Sequence, residues 1–351
     1  METVLQTIAK QANLDRILFT PALKKLYFDM AVSSGGATQF KHADTIRNGL
    51  SFAADKASDH KHVLLFCAVH ELVHGYDLLL KTAAQLTPVV ILAVNEYPPE
   101  SMRDAGGFLS YSRCGWLQFQ THTLQELYDH LALAYHLIHD KKEHPPFLII
   151  HSAVDHDDAG EFTLREDYDM GNPLTGLQTS KKSAEDPFAA ALAAVENKSK
   201  EKPTLRGLLD KAADAVREAY TELGYPAPQD GFPLVGNITK SAAVVVTCLP
   251  AAQNPDDYIR QLCLRPFTPA GLAGELEQKK TIAVVEPQAA PGTTPPYFAE
   301  IAASLGAQLK AQFISIQAPP DCAILSGSHQ SKIDGIIDKA ASSSQDAYFK
   351  L

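Results

Sequence analysis

His70-Glu71-Leu72-Val73-His74 is an H-E-x-x-H string, the spacing that on an α-helix sets two imidazoles on one face beside a carboxylate. In that geometry His70 and His74 would hold zinc and Glu71 would act as base on a zinc-bound water. Glu100, four residues before Asp104, would be the third ligand. The context of the string points the other way. Val63 to Val69 reads as a strand running straight into His70, so His70 falls at a turn or a helix start. Gly75 follows His74 at once and weakens a helix there. Pro98-Pro99 allows a helix carrying Glu100 only from its first turn. In a chain with 13 histidines the string is read as coincidence, with a zinc peptidase kept as an alternative.

Other residues invite chemistry less sharply. His122, His130, His136 and His139 sit on or beside one helix, and no carboxylate completes a ligand set with metal spacing. They read as solvated or core-edge histidines. His151 and the run Asp155-His156-Asp157-Asp158 follow a strand, at the end where α/β proteins place ligands, so a ligand role stays open for them. Asp230-Gly231 does not follow a strand and reads as a turn. Cys67 and Cys263 read as small core residues, and Arg265 as the anchor of a domain interface or loop.

The elements that must position these residues are legible in parts. From Cys114 to His151 the chain reads as a loop, a long helix, a turn and a buried strand. Thr123 caps the helix, with Glu126 at the capping-box position. Leu127, Leu131, Ala134 and Ile138 recur at helical spacing and form one buried stripe. Lys141, Lys142 and Pro145-Pro146 end the helix. Phe147 to Ile150 is apolar without alternation, as in a strand covered on both faces. Val63 to Phe66 and Val89 to Val94 are two more such runs, with a helix from Gly75 to Gln85 between them. The alternation predicts an α/β fold with mainly parallel sheets.

Asp155 to Lys202 is polar and reads as an excursion, with one Ala-rich helical piece, Pro187 to Glu196. Beyond Pro203 a second domain is expected. It starts with an amphipathic helix from Leu205 to Leu223 and a buried strand from Ala242 to Thr247. Gln261 to Leu264 leads into Arg265-Pro266-Phe267-Thr268 and a helix from Pro269 to Leu276. Then come a buried strand from Thr281 to Val285, the turn-rich Glu286 to Pro296 and a helix from Tyr297 to Leu309. Ser326 to Leu351 reads as one amphipathic helix and an exposed tail. The expected boundaries are 1–175, a linker at 176–203, 204–325, and a tail at 326–351.

A chain of 351 residues is long enough for two domains, and 45% hydrophobic with 21% charged residues is ordinary for a globular protein. The formal net charge of -10 argues against nucleic acid and offers no basic patch to a membrane surface. No run reaches the roughly 18 apolar residues that span a bilayer. The first residues carry no apolar signal core, so neither a secretory signal nor a typical transit peptide is expected. The five cysteines are scattered and form no C-x-x-C pair. That fits a reducing, cytoplasmic compartment and leaves no iron-sulfur module in this sequence.

Gly115, Trp116, Gln125, Glu126, Asp129, Leu131, Ala132, Ala134, His136, Leu137, Pro146, Phe147 and Leu148 form a pattern that resembles the thiamine-diphosphate (pyrimidine) domain of the pyruvate:ferredoxin (flavodoxin) oxidoreductase family. Val244 to Thr247, Leu264-Arg265-Pro266-Phe267, Leu272 to Leu276, Thr281 to Val285 and Ala290-Pro291-Gly292 are similar to the domain that follows it there, which is like the C-terminal domain of transketolases. The two regions come in the family's order and cover roughly residues 60 to 310. The related domains at the front of fungal sulfite reductase flavoprotein subunits are an equally good match. The resemblance implies a thiamine-diphosphate-binding-like fold plus a transketolase C-terminal-like domain.

It also implies where catalysis would sit. The family's thiamine-activating Glu lies about twenty residues before a Thr-x-Thr-Ala-Ser-x-Gly-Leu strand-loop. The counterpart here is Phe66-Cys67-Ala68-Val69-His70-Glu71-Leu72, with the Thr, Ser and Gly replaced. Asp44, within Lys41-His42-Ala43-Asp44-Thr45, is the weak cofactor-binding candidate in the place of that Glu. The family's diphosphate loops have no clear counterpart. The expectation is therefore a non-catalytic subunit or scaffold of an oxidoreductase complex, sulfite reductase included, with no cofactor of its own. Its partner would be another protein subunit or a second copy. The alternatives are an α-type subunit that binds thiamine diphosphate and Mg²⁺ with a partner chain, and the zinc peptidase.

Overall fold

Runs of apolar residues without alternation can be buried only where a sheet is covered on both faces, and such runs make the centres of two sheets. The computed structural model describes residues 1–25, 40–59, 61–94, 111, 114–139, 145–152, 162–164, 205–225, 234–249, 251, 255–265, 267, 269–288, 294–319, 322, 325–341 and 347–351. Glu100, Asp104, Lys141, Lys142, Asp155 to Asp158, Pro187 to Glu196, Asp230-Gly231, Pro266 and Ala290 to Gly292 lie outside them. The chain divides into two compact units, one built from segments up to Ala219 and the other chiefly Tyr220–Leu351.

The first unit carries α1 (Glu2–Gln11), β1 (Arg16–Phe19), β2 (Phe40–His42), α2 (Ile46–Ser58), β3 (Val63–Ala68), α3 (Tyr76–Ala84), β4 (Val90–Val94), β5 (Leu117–Thr121), α4 (Leu124–His139) and β6 (Phe147–His151). Its strands run parallel in the order β5-β6-β4-β3-β1-β2. β3, β4 and β6 are buried at every position, as their composition demands. A helix, α5 (Leu205–Glu222), follows in the chain.

Two expectations change here. β5 was expected as loop, although LQFQT alternates apolar with polar as a strand with one wet face would. It is nevertheless buried at every position, Gln118 and Gln120 included. The capping residues of α4 behave as expected, with Thr123 Oγ1 accepting from the Glu126 N–H at 3.1 Å. The Glu126 carboxylate reaches one residue further back than in a standard capping box, to the His122 N–H at 2.8 Å. But α4 is buried around its whole circumference and not along one stripe, Asp129 and His130 included. It packs on β5 and β6 from one side and under α1 from the other, and Tyr128 donates its hydroxyl to Gln11 at 2.9 Å.

The second unit carries β7 (Leu234–Val235), β8 (Ala243–Thr247), β9 (Tyr258–Gln261), the short strand β10 (Cys263–Arg265), α6 (Pro269–Leu276), β11 (Thr281–Pro287), α7 (Pro296–Leu305), β12 (Gln312–Ala318), α8 (Gly327–Ala341) and β13 (Ala347–Lys350). Its sheet order is β13-β12-β11-β8-β9-β7, parallel except for β7. β7 meets β9 through Gly236, whose φ is +125° and whose Cβ, had it one, would lie 2.0 Å from the Tyr258 carbonyl oxygen. The helix expected after Ser326 is α8, and the end expected as an exposed tail forms an edge strand, β13, paired with β12. Four residues are too few to show a period in the sequence.

One buried cation ties this unit together. The Lys279 side chain is 2% exposed. Its Nζ bonds Asp257 at 2.6 Å and the carbonyls of Thr239 and Ser241 at 2.8 and 3.1 Å. Burial pushes the Asp257 carboxyl up, but the bonds from Lys279 and Thr239 outweigh it and hold the group below its usual range.

Candidate functional site

In a parallel α/β sheet the crevice for a ligand opens where strand order reverses, because the loops leaving two neighbouring strands then diverge. In the first unit that point lies between β1 and β3. β1 leads to β2 on one side, and β3 leads to β4 on the other.

A carboxylate of the chain itself reaches across this crevice. β3 passes directly into a 3-10 helix, Val69–Gly75, which holds the whole H-E-x-x-H string. Leu72 is fully buried and pins this turn to the core, while Gly75 packs near Ile46. Glu71 points back across the crevice. It accepts the Thr20 hydroxyl, the Ala68 N–H at 3.0 Å and the Ala22 N–H at 3.3 Å. One carboxylate thus joins the loop after β1 to the loop after β3.

This turn corrects the helical premise of the zinc alternative. In a 3-10 helix residues three apart eclipse and residues four apart do not share a face. His70 and His74 are both exposed, and Glu71 is engaged with three donors. Among the described residues no group of three or more His, Cys, Asp or Glu could hold a metal ion.

Asp44 follows the edge strand β2, on the far side of β1 from the crevice, and is exposed. It precedes Thr45, whose hydroxyl caps α2 by accepting from Asn48 N–H at 3.1 Å. Nothing draws Asp44 and Glu71 together.

Further along the same strand ends, His151 Nδ1 lies 3.0 Å from the Thr121 hydroxyl, across the β5–β6 pair. Burial lowers the His151 pKa to about 4, so the ring is neutral near pH 7. His122 and His130 are buried, His130 with Nδ1 2.6 Å from the Glu126 carbonyl oxygen. The reading of these two as solvated or core-edge residues gives way to full burial, for the reason that buries all of α4.

The second unit repeats the device with a residue that sequence reasoning placed in a turn. Its strand order reverses between β8 and β11. Glu286, near the end of β11, has no solvent exposure. Its two carboxylate oxygens accept the N–H groups of Tyr297 at 3.0 Å and Phe298 at 2.7 Å, the first turn of α7. Such a helix start is an anion site, and here the chain's own acid fills it. Burial raises the Glu286 carboxyl to about 7, against the pull of the two N–H groups. The sequence signal was an acid closing an otherwise apolar run, followed by Pro287. Arg265 pairs with Glu300 at 2.7 Å within this unit.

No protein-family model matches the sequence, and no curated protein sequence matches it. Among solved structures the chain is similar to the 2-oxoglutarate:ferredoxin oxidoreductase from Magnetococcus marinus, solved with 2-oxoglutarate, coenzyme A and succinyl-CoA bound. The identity is 10% and the TM-score 0.53, over 97% of this chain and 64% of that one. The two share a fold. The chain spans just under two thirds of that neighbour's length. A looser likeness, at TM-score 0.33 and 13% identity over 99% of this chain and 59% of the other, is to the thiamine diphosphate-dependent 4-hydroxybenzoylformate decarboxylase of Rhodococcus jostii RHA1. The α/β architecture with two mainly parallel sheets, expected from the sequence, is the architecture found. No described helix is long and apolar enough to cross a membrane.

Proposed function

We propose that this chain is a non-catalytic structural component of an oxidoreductase assembly related to the 2-oxoacid:ferredoxin oxidoreductases. The observation that carries the reading is Glu71 at the switch point of the first unit. Where a ligand would enter, three of the described donors, from the two loops, are already satisfied by a carboxylate of the chain. The self-filled start of α7 at Glu286 supports the same reading. The described residues do not fit thiamine diphosphate in this crevice. Its pyrimidine ring needs a carboxylate free to bond it, and Glu71 is engaged while Asp44 stands exposed beyond the next strand. The shared fold makes such an assembly the natural setting. A chain of this fold without a thiamine site of its own works beside a partner that carries the redox groups. The resemblance to sulfite reductase flavoprotein subunits makes sulfite reduction the first system to search.

The test is a calorimetric titration of the chain with thiamine diphosphate and Mg²⁺, alongside affinity capture of the tagged chain from its native extract. The reading expects no saturable heat and co-elution with a flavin- or iron-sulfur-bearing subunit. Stoichiometric thiamine diphosphate binding would replace it with the catalytic α-subunit reading. A chain recovered alone and monomeric would overturn the scaffold.

A further inference from the structure

The switch point of the second unit holds a second kind of chemistry beside the Glu286 cap. Cys248 follows β8 directly and is fully buried. Ala251, after β8, and Leu325, after β12, meet in a parallel bridge. Cys248 and Cys322 each stand three residues before a bridge partner, and the Cys322 charge is near enough to act on Cys248. Disulfide closure needs Cα atoms within about 7 Å, which convergence of this kind favours. Burial pushes the Cys248 thiol far up, and the charges of Glu286 and Cys322 act on it in the same direction. Burial thus favours the protonated thiol at Cys248.

Cys322 is different because it has a base. The Ser326 N–H donates to His329 Nδ1 at 3.3 Å, and the Ser326 hydroxyl caps the His329 N–H at 3.4 Å. A nitrogen that accepts from a backbone N–H carries no proton of its own, so the neutral ring holds its hydrogen on Nε2. Cys322 Sγ lies 3.7 Å from the same Nδ1, so its thiol proton competes with the Ser326 N–H for that one lone pair and passes to it when the long 3.3 Å bond opens. His329 sits in the first turn of the 15-residue helix α8, whose N-terminal end also favours a thiolate. Cys322 is largely buried and His329 half-buried, so the pair has an outlet to solvent through the ring.

We propose that Cys322, with His329 as its base, is a peroxide-reactive thiol that closes a disulfide with Cys248. In the first step Cys322 gives its proton to His329 Nδ1, and its sulfur attacks one oxygen of hydrogen peroxide. An S–O bond forms, the O–O bond breaks, and the departing hydroxide takes the proton from His329 to leave as water. Cys322 is then a sulfenic acid. In the second step the Cys248 sulfur attacks the Cys322 sulfur. The S–S bond forms, the S–O bond breaks, and hydroxide leaves with the Cys248 proton as a second water. Two thiols are oxidised by two electrons, and one peroxide is reduced to two waters.

The test treats the reduced full chain with stoichiometric hydrogen peroxide, quenches with an alkylating reagent in denaturant, and maps the peptides by mass. The expected product is the Cys248 peptide joined to the Cys322 peptide, two hydrogens lighter than their sum. Cys248→Ser should stop the reaction at a sulfenic acid on Cys322, trapped by dimedone. His329→Gln, whose amide oxygen can still accept from Ser326, should slow the oxidation by about tenfold or more at an unchanged urea midpoint. Independently of any variant, Cys322 must react faster in the native chain than in the urea-unfolded chain. Three results would overturn the proposal: equal or slower native reaction, an unchanged rate in His329→Gln, or oxidation of Cys322 no faster than that of buried Cys67 and Cys263.

Discussion

Replacing Glu286 by Gln should abolish a pH dependence of stability whose size follows from the geometry of the β11–α7 junction. Glu286 is fully buried, with a pKa of about 7 in the folded chain against an ordinary 4.5. Burial dominates, and the N–H groups of Tyr297 and Phe298 offset only part of it. A carboxyl whose folded pKa is raised binds its proton more tightly in the folded state. Its contribution is therefore full below pH 4.5 and is lost as the pH rises through 7. At about 1.4 kcal/mol for each pH unit between the two values, the loss is about 3 kcal/mol. Gln has the shape and neutrality of the protonated acid, so the two chains should match in acid and diverge above it.

The measurement must isolate this unit and this group. Native-state hydrogen exchange at the amides of β8 and β11 reads the opening free energy of the second unit alone. The quantity of interest is the wild-type value minus that of Glu286→Gln, taken from pH 4 to pH 8. It should fall by about 3 kcal/mol across the range. Carboxyl-labelled glutamate NMR should show one titration centred near 7 in the wild type and none there in the variant. A difference curve that is flat, or that rises with pH, would refute the claim that burial outweighs the helix start at this position.

Three other outcomes follow from the same accounting. Glu71→Ala leaves the Ala68 and Ala22 N–H groups and the Thr20 hydroxyl without their acceptor, and should cost the first unit about 1–3 kcal/mol. Urea unfolding followed by fluorescence of buried Trp116 reads it, and an unchanged midpoint would show that the latch holds nothing. Lys279→Met strands Asp257 and two carbonyls, and should cost the second unit about 3–5 kcal/mol by exchange at β8; a loss under about 1 kcal/mol would place the pair in solvent. Buried His62 stacks on Tyr135, and burial, with a smaller push from His139, lowers its pKa to about 4. Its contribution is present above pH 6.5 and lost as pH falls through about 4, some 3 kcal/mol in all. His62→Phe keeps the ring stack and should remove that acid lability, so an acid midpoint no lower than that of the wild type would contradict it.

Much of the architecture was legible because parallel α/β layers write themselves in long signals. VLLF, VVILAV and FLII can be buried only on two sides, and Thr123 with Glu126 marks the start of α4 unmistakably. The signals that failed were short or mixed. β1, β2 and β13 span only three or four residues each. β5 hides two fully buried glutamines behind an alternation that normally means one wet face. The stripe on α4 was real but incomplete, because α1, unread in the sequence, covers the opposite side. The site was harder still. H-E-x-x-H is informative only if its five residues are α-helical, and that depends on where β3 ends. Glu286, Cys322 and His329 carry no motif spacing at all, because strand order and not sequence distance brings their neighbourhood together.

Glu71 and Glu286 share a physical origin that bears on how the fold is used. A parallel sheet leaves backbone N–H groups at the ends of its strands and at the starts of the helices that return from them, and these groups must find an acceptor. At a switch point two such sets face one crevice. In one solution the acceptor is an anionic ligand, and the crevice is a binding site. In the other it is a carboxylate of the chain, and the crevice becomes a clasp that fixes two loops to each other. One side chain decides between them, without any change in strand order. Both units of this chain take the second solution at the donors that are described. On the proposed reading a fold suited to binding is thereby converted into one suited to holding its shape, while the proposed thiol–imidazole pair keeps a reactive group in the second unit. If the Glu71 clasp governs access to the first crevice, Glu71→Ala should gain affinity for small anions such as inorganic diphosphate as it loses stability. A variant that loses stability without gaining any such affinity would show that the crevice has no room behind the clasp.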